Sequence, residues 1–354
     1  MNFWKEILRE KKMILGLSPM DGVTDAAFRW IVAKYGKPDV MYTEFVNVEG
    51  LIRGNVEKLL PILMYHQSER PIIAQLFGKT PVDFYRATVL VAELGFDGID
   101  INMGCPVRRV AEKGSGAGLI KTPDLAQEIV RQTKEAVEDW SKGRVGLEEV
   151  MAKQRWLKAV REFKQKLQEL GVEFSKKRKL PVSVKTRLGI DEDVSQWWMK
   201  VLSEVKPAEI TLHGRTLKQM YSGQADWEAI GRAGEMVKKE GIVFLGNGDV
   251  KSVDEAREKV EGYGVDGVLI GRASFGNPWI FKDTKLDLKE KLKVMIEHAE
   301  KYEELFGEGR FLPMRKHLAW YAKGFEGAKE LRKKLVLANS AKDCRLLVEE
   351  VSTF

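Results

Sequence analysis

Eight short apolar runs recur along the sequence before residue 273, and they constrain the fold more than any other feature. They read ILGLSP (14–19), VMYTEF (40–45), PIIAQLF (71–77), GIDINM (98–103), VSVKTRL (182–188), EITLHG (209–214), IVFLGNGD (242–249) and VLIGR (268–272). Helix-like segments lie between them. Nearly continuous apolar strands that alternate with helices are typical of a parallel sheet buried on both faces. Eight such units predict a (β/α)8 barrel, with a doubly wound α/β sheet as the alternative.

The pattern changes to purely helical after Phe281. Three amphipathic stretches follow, LKEKLKVMIEHAEKYEELFG, PMRKHLAWYAKGF and AKELRKKLVLANSAKDCRLLVEEV. Such a switch from strand and helix to helix alone is typical of a second, smaller unit. We predict a barrel domain over residues 1–284 and a helical bundle domain over residues 285–354.

One connection inside the barrel pattern is too long for an ordinary loop. More than forty residues separate the helix that ends near Val137 from the strand that begins at Val182. Apolar residues at helical spacing within this connection are surrounded by Lys and Arg: Val150, Leu157, Val160, Phe163, Leu167 and Leu170. The pattern predicts a basic amphipathic helix inserted at about 141–179. It could pack on the barrel, contact RNA or mediate self-association.

The positive charge is concentrated in two segments. Residues 141–179 hold twelve Lys or Arg against five Asp or Glu, and residues 310–345 hold ten against three, in a chain of net charge +7. Two basic segments on a balanced body favour a polyanionic partner, with nucleic acid first, although a solvated helix surface gives the same pattern.

Cysteine content and hydropathy bear on the compartment. Two cysteines cannot form a disulfide framework, which favours a reducing cytosol. The sequence contains no run of eighteen apolar residues, and its N-terminus is too charged for a signal peptide. We expect a soluble cytoplasmic protein.

Polar residues and glycines end almost every predicted strand. In a (β/α)8 barrel these ends converge on one open face, where binding and catalytic residues collect. Gly248 and Gly271 allow close approach of a ligand to the backbone, and Arg272 adds a fixed positive charge. Because the loops after the last two strands are the usual phosphate site of such barrels, we predict a phosphorylated cofactor or substrate.

Two further strand residues point to an electron-rich ring. Lys185 lies in the alternating strand VSVKTRL, where a buried lysine requires an anionic partner or a lowered pKa. His213 on the next strand could donate to the same ring or be a structural histidine. No second His or Cys stands at metal-ligand spacing from His213, so we predict no metal site.

Cys105 follows the fourth strand in the stretch DINMGCPVRRVAEKGSGAGLI. Three roles remain open for its thiol: a nucleophile, a general acid that holds its proton at neutral pH, or a small apolar filler. The Gly-rich segment after it could act as a lid.

At these residues the sequence resembles a known family. The motifs SPMDGVTDAAFR, TEF, QLFG, DINMGCPVRRV...GSGAGLI, VKTRLG, HGRT...YSGQADW, NGDV and GRASFGNPWIF occur in the order of the tRNA-dihydrouridine synthase family. The resemblance covers about residues 14–282, and the helical tail is also similar to that of the bacterial branch. The insertion at 141–179 departs from the family pattern.

The resemblance implies an FMN-dependent enzyme that uses NADPH to reduce uridine in tRNA to dihydrouridine. Cys105 would protonate C5 of the uracil after hydride transfer to C6, and Asn102 would help to fix the base. The residues that would hold FMN are Pro19, Met20, Gln75, Lys185, His213, Asn247, Gly248, Asp249, Gly271 and Arg272.

The tRNA partner implies further contacts, because an enzyme that acts on a base must take it out of the stack. Our candidates for the RNA backbone and the uracil edge are Arg108, Arg109, Arg187, Arg215, Arg315 and Lys316. Three alternatives remain: an FMN barrel that oxidises or reduces a free pyrimidine, of the dihydroorotate dehydrogenase type, a non-catalytic RNA-binding barrel, and a phosphate-binding barrel without flavin. The sequence does not fix the oligomeric state.

Overall fold

The structure of the chain is a computed structural model that describes residues 2–105, 111–151, 153–174, 176–282, 284–307 and 309–352. Its core is a sheet of short parallel strands. Their bounds are β1 Ile14–Leu17, β2 Met41–Tyr42, β3 Val46–Asn47, β4 Ile72–Phe77, β5 Gly98–Met103, β6 Val182–Arg187, β7 Glu209–His213, β8 Val243–Asn247 and β9 Gly267–Ile270.

The sheet closes into a nearly complete eight-stranded barrel, as the sequence predicted. The strand order is β1-β9-β8-β7-β6-β5-β4-β2, and β3 also pairs with β4. Closure between β1 and β2 runs through the Leu17 N–H, which donates to the Val40 carbonyl oxygen at 3.0 Å. The predicted second strand, 40–45, is interrupted: the pairing with β4 stops after the Thr43 N–H, which donates to the Ile73 carbonyl oxygen at 3.0 Å, and resumes at β3. The doubly wound sheet is therefore excluded.

Helices cover the outside of the barrel and form the tail. Their bounds are α1 Phe3–Glu10, α2 Ala26–Tyr35, α3 Val48–Arg53, α4 Val56–Leu59, α5 Pro81–Glu93, α6 Pro123–Ser141, α7 Leu147–Val150, α8 Gln154–Glu169, α9 Ser195–Glu204, α10 Trp227–Lys239, α11 Val253–Tyr263, α12 Leu288–Phe306, α13 Met314–Tyr321, α14 Ala328–Leu335 and α15 Ala341–Ser352. Within the described segments, no helix combines the length and apolar character that a membrane crossing requires.

The N-terminal end of the barrel is closed by an apolar cluster. Trp4 of α1 is buried there, together with interior residues of the strands: Ile14, Val40, Tyr42, Ile73, Val243, Leu245 and Leu269. The interior is thus filled at this end, so that only the opposite end, where strands run into helices, is left for a ligand.

The insertion forms the predicted helix as α8. Its apolar stripe is buried, including Trp156, Val160 and Leu167, and α8 packs against α4. Of the three roles left open, packing on the barrel is what the structure shows. The insertion connects the end of α6 to the first residue of β6. Strands begin at the closed end of the barrel, so the insertion lies at that end.

The tail packs against the barrel through α12, which contacts α2. The third predicted helical segment forms two helices, α14 and α15, because the helical conformation is interrupted at 336–340. Ser340 begins the second one, since its Oγ accepts a hydrogen bond from the Asp343 N–H at 3.0 Å. The domain boundary at residue 284 stays a prediction.

Candidate active site

The predicted strand-end residues converge at the open end of the barrel. Interior positions there are occupied by Gln75 on β4, Asn102 on β5, Lys185 on β6, His213 on β7 and Asn247 on β8. Asn102 pairs in register with Lys185, and His213 pairs with Asn247. The arrangement follows from strand alternation, which turns every second side chain of a barrel strand inward.

A buried chain of hydrogen bonds leads from the barrel interior to Cys105. The Ser183 Oγ donates to Asp100 Oδ1 at 2.7 Å, and the Gln75 Nε2 donates to Asp100 Oδ2 at 2.7 Å. The Asn102 Nδ2 then donates to Gln75 Oε1 at 2.9 Å. Asn102 Oδ1 in turn accepts the backbone N–H of Cys105 at 2.8 Å.

This network fixes the corner that carries Cys105, and Arg187 completes it. The Arg187 Nε donates to the carbonyl oxygen of Gly104 at 2.6 Å, while Asn102 Oδ1 holds the Gly104 N–H at 3.0 Å. Arg187 is buried and its other bonds go to loop carbonyl oxygens. The guanidinium of Arg187 thus positions the Cys105 corner, and the uracil-edge contact predicted for it stays a prediction.

Lys185 is half-buried and His213 is buried, and both lie near the cationic side chain of Arg187. The Lys185 Nζ donates to Asn247 Oδ1 at 3.0 Å. Burial, and then the charge of Arg187, lower the pKa of Lys185 to about 8, while the carboxyl groups of Asp100 and Glu209 oppose this shift. Burial, again followed by Arg187, lowers the pKa of His213 well below its usual value, so the imidazole is neutral.

The carboxyl groups beneath Lys185 are the least solvated in the site. Burial raises the pKa of Asp100, and burial with the neighbouring Asp100 raises that of Glu209 well above its usual range. Sequence reasoning missed Asp100 and Ser183, although a polar residue at alternate positions of the strand GIDINM was a signal for an inward side chain.

A second polar group lies where the last two strands end. Asp249 accepts hydrogen bonds from Arg215 at 2.6 Å, from Arg272 at 2.7 Å and from the Ala225 N–H at 2.8 Å. Gly248, at φ +132°, lies directly beside His213, and a Cβ there would meet the Ala225 side chain at 2.5 Å. Only glycine therefore fits this position.

Arg215 does not present the free guanidinium that an RNA contact requires. Its side chain is 2% exposed and donates to the carbonyl oxygens of Ser222 and Gly223 as well as to Asp249. The RNA-backbone role predicted for Arg215 is corrected accordingly: its buried partners make it the brace of the loop after β7.

The loop after β1 carries Pro19 and Met20, and it is held from both sides. The Met20 N–H donates to Thr24 Oγ1 at 3.0 Å. The Gly22 N–H donates to Glu44 Oε1 at 2.6 Å, while Lys316 of α13 donates to the Gly22 carbonyl oxygen. Burial, followed by the nearby Asp25 carboxylate, raises the pKa of Glu44 to about 7.

The remaining RNA candidates are placed as follows. Lys316 donates to the Gly22 carbonyl oxygen in the loop after β1, and its predicted RNA contact stays a prediction. Arg315 donates to the Ala338 carbonyl oxygen at 2.8 Å and to Asn339 Oδ1 at 2.6 Å, which ties α13 to the break between α14 and α15. Arg108 and Arg109 lie outside the described residues.

The site fits an anionic cofactor. Arg187 is buried and Lys185 is half-buried, yet no carboxylate among the described residues lies within 4.0 Å of either cation. A negatively charged ring or phosphate would offset this charge, and neutral donors on His213 and Asn102 surround the same opening. No group of three or more His, Cys, Asp or Glu in the described segments could hold a metal ion.

Comparison with known proteins identifies the family of the chain. The family model described as dihydrouridine synthase (Dus) matches residues 16–174 and 156–353. A probable tRNA-dihydrouridine synthase of Staphylococcus aureus (strain COL) is 34% identical over 361 residues, which is 99% of this chain and 95% of that protein. Probable tRNA-dihydrouridine synthase 2 of Bacillus subtilis (strain 168) is 32% identical over 359 residues, 99% of this chain and 96% of that protein.

A solved structure, DHODH of Eimeria tenella in complex with ferulenol, is more distant. It is 14% identical with a TM-score of 0.39, and the match covers 64% of this chain and 58% of that one. The assignment therefore depends on the family model and the two full-length relatives. On these grounds, the chain belongs to the dihydrouridine synthase family.

Proposed function

We propose that this chain is an oxidoreductase that reduces specific uridines of tRNA to 5,6-dihydrouridine, with FMN at the open end of the barrel and NADPH as reductant. Family membership over nearly the whole chain supports the reaction class. The single structural observation that carries the proposal is the placement of Cys105, held by Asn102 and Arg187 at the rim of a cationic opening.

The residues that would bind FMN form two groups. Lys185, with Asn247, and the neutral His213 would face the pyrimidine side of the ring, with Pro19, Met20 and Gln75 along its other edges. The backbone at Gly248 and Gly271 would approach the ribityl phosphate closely, and Asp249 would orient Arg272 toward it. When bound and reduced, FMN would supply a hydride to C6 of the uracil.

Cys105 would supply the second hydrogen. Its Sγ–H bond would break as the proton passes to C5 of the uracil, which completes the saturated C5–C6 bond and leaves a thiolate. The guanidinium of Arg187 interacts electrostatically with this cysteine and would stabilise the thiolate until solvent reprotonates it. Asn102, locked by the Gln75 bond, would keep the corner in place during the transfer.

An anaerobic spectroscopic experiment tests the proposal. The purified protein should show flavin absorption in the visible range, lose it on addition of NADPH and regain it on addition of tRNA that lacks dihydrouridine. Free uridine at the same concentration is the control and should reoxidise the flavin far more slowly. A protein that takes up no flavin, or that is reoxidised equally well by free uridine, would contradict the proposal.

A further inference from the structure

The loop after β7 is held rigidly over the open end of the barrel. The Arg187 Nη1 donates to the carbonyl oxygens of Thr216 and Met220 at 3.2 and 3.4 Å. From the other side, Arg215 donates to those of Ser222 and Gly223 at 3.2 and 2.7 Å. Two buried cations therefore bracket the tip of this loop, and little conformational entropy is left for a ligand to remove.

The tip exposes an aromatic ring to solvent. Tyr221 is 60% exposed, and its neighbour Met220 adopts φ +49°. The Arg272 guanidinium lies over the Tyr221 ring, 5.7 Å from its centroid. An exposed aromatic on a fixed loop, with a cation at one face, contributes nothing to the core and is typical of a stacking surface.

Tyr221 lies next to the corner that carries Cys105. The same Arg187 side chain binds the carbonyl oxygen of Gly104, which precedes Cys105, and that of Met220, which precedes Tyr221. Both Cys105 and Tyr221 also interact electrostatically with this guanidinium. The single side chain of Arg187 thus connects the loop that carries Tyr221 with the corner that carries the proposed proton donor. The Tyr221 ring lies at the rim of the barrel and not inside it.

We propose that Tyr221 stacks on a nucleobase next to the target uridine and so selects a polynucleotide over free uridine. This inference deepens the proposed function and depends on it. A uridine that turns into the barrel leaves its neighbours unstacked, and an aromatic ring at the rim replaces the lost stacking. The Arg272 guanidinium lies against one face of the Tyr221 ring and leaves the other face for the nucleobase.

The test compares Tyr221→Ala with Tyr221→Trp, which restores a larger stacking surface. Trp197→Ala is the matched control, because Trp197 is 48% exposed on α9, on the outside of the barrel. For Tyr221→Ala we expect kcat/KM for tRNA to fall by roughly 5-fold to 150-fold, the range of one base stack. Tyr221→Trp should retain near wild-type values, and the control should not change.

Two further readouts make the result specific. Flavin content and the rate of flavin reduction by NADPH should be equal in the wild type and in Tyr221→Ala. A loss of flavin, or a slower reduction by NADPH, would overturn the inference and assign the ring to the cofactor or to the reductant. An unchanged kcat/KM for tRNA would overturn it as well.

Failure of the proposed function gives a different result. In that case the wild type itself would not reduce tRNA, and the stacking role is judged by tRNA affinity alone, measured by titration of labelled tRNA. Weaker binding by Tyr221→Ala, restored by Tyr221→Trp, would still support a base contact, whereas equal affinities would remove it.

Discussion

The two basic segments carry the same net charge but differ in what neutralises it. In residues 141–179, most cations are paired with carboxylates, and several of those carboxylates belong to the barrel: Glu93, Asp97, Glu138 and Asp139. In residues 310–345, the described ion pairs involve Lys333, Lys334 and Arg345, while the other cations contact carbonyl oxygens or solvent.

Their positions differ as well. The insertion closes over α4 at the filled end of the barrel, whereas Lys316 and Lys323 of the tail donate to backbone carbonyl oxygens of the loops after β1 and β9, at the open end. Equal net charge therefore occurs in different surroundings: most cations of the insertion are paired with carboxylates, whereas Lys316 and Lys323 of the tail contact backbone carbonyl oxygens beside the open end.

The largest effect on activity should come from removing the thiol of Cys105 at the open end of the barrel. Cys105→Ala should lower dihydrouridine formation by about 10²-fold to 10⁴-fold, because the proton donor is removed, while flavin content and reduction by NADPH stay normal. Cys344→Ala is the matched control: this thiol is buried inside the tail, and burial raises its pKa to about 12, so it is inert. A Cys105→Ala enzyme as fast as the wild type would refute the assignment.

Trp156→Ala tests whether the insertion takes part in RNA binding or only packs on the barrel. Trp156 is buried against the barrel, so its truncation should lower the free energy of unfolding by about 3–5 kcal/mol in urea titrations. The folded fraction should keep wild-type kcat/KM for tRNA. A stable variant with impaired tRNA turnover would show that the insertion is part of the substrate site.

Glu44→Gln examines the contact between tail and barrel around Gly22. Because the pKa of Glu44 is raised to about 7, the unfolded chain ionises first as pH rises, and stability falls between about pH 4.5 and pH 7. The loss of stability should be on the order of 3 kcal/mol. Glu44→Gln keeps the acceptor for the Gly22 N–H but cannot ionise. Its free energy of unfolding, measured by chemical denaturation, should therefore lack the decrease between about pH 4.5 and pH 7. If the wild type and Glu44→Gln show the same dependence on pH, Glu44 is not neutral in the folded protein.

The smallest expected effect is on the salt dependence of tRNA affinity, and it compares the two basic segments directly. Lys323→Gln with Lys329→Gln in the tail should reduce the slope of log affinity for tRNA against log salt by roughly one for each phosphate that these lysines neutralise. Lys158→Gln with Lys166→Gln on the exposed face of α8 should leave the slope unchanged. The comparison fails if the two double variants behave alike, or if the insertion variant alone flattens the slope.

The sequence was sufficient for the barrel because strand burial is a local pattern. All eight predicted runs contain strand residues, although the second is interrupted after Tyr42. The break between α14 and α15 was missed even though Asn339 and Ser340 offer helix caps, since the apolar spacing continues through it.

The residues of the site could be predicted from the sequence, but the hydrogen-bond partners of those residues could not. Arg215, Arg187 and Lys316 carry charges that look alike in a sequence, whether exposed or buried. Their partners are distant along the chain: Asp249 is 34 positions from Arg215, and Gly22 is 294 positions from Lys316. Only the closed barrel decides that these cations brace loops, whereas Tyr221, which no charge pattern singled out, is left exposed at the rim.

The central claim is that the open end of this barrel converts uridine in tRNA to dihydrouridine. The most direct test is nucleoside mass spectrometry of tRNA from cells that lack this protein and from the same cells supplied with it again. We predict that dihydrouridine at one or more positions disappears in the first sample and returns in the second, but does not return with Cys105→Ala. Identical dihydrouridine content in all samples would contradict the account.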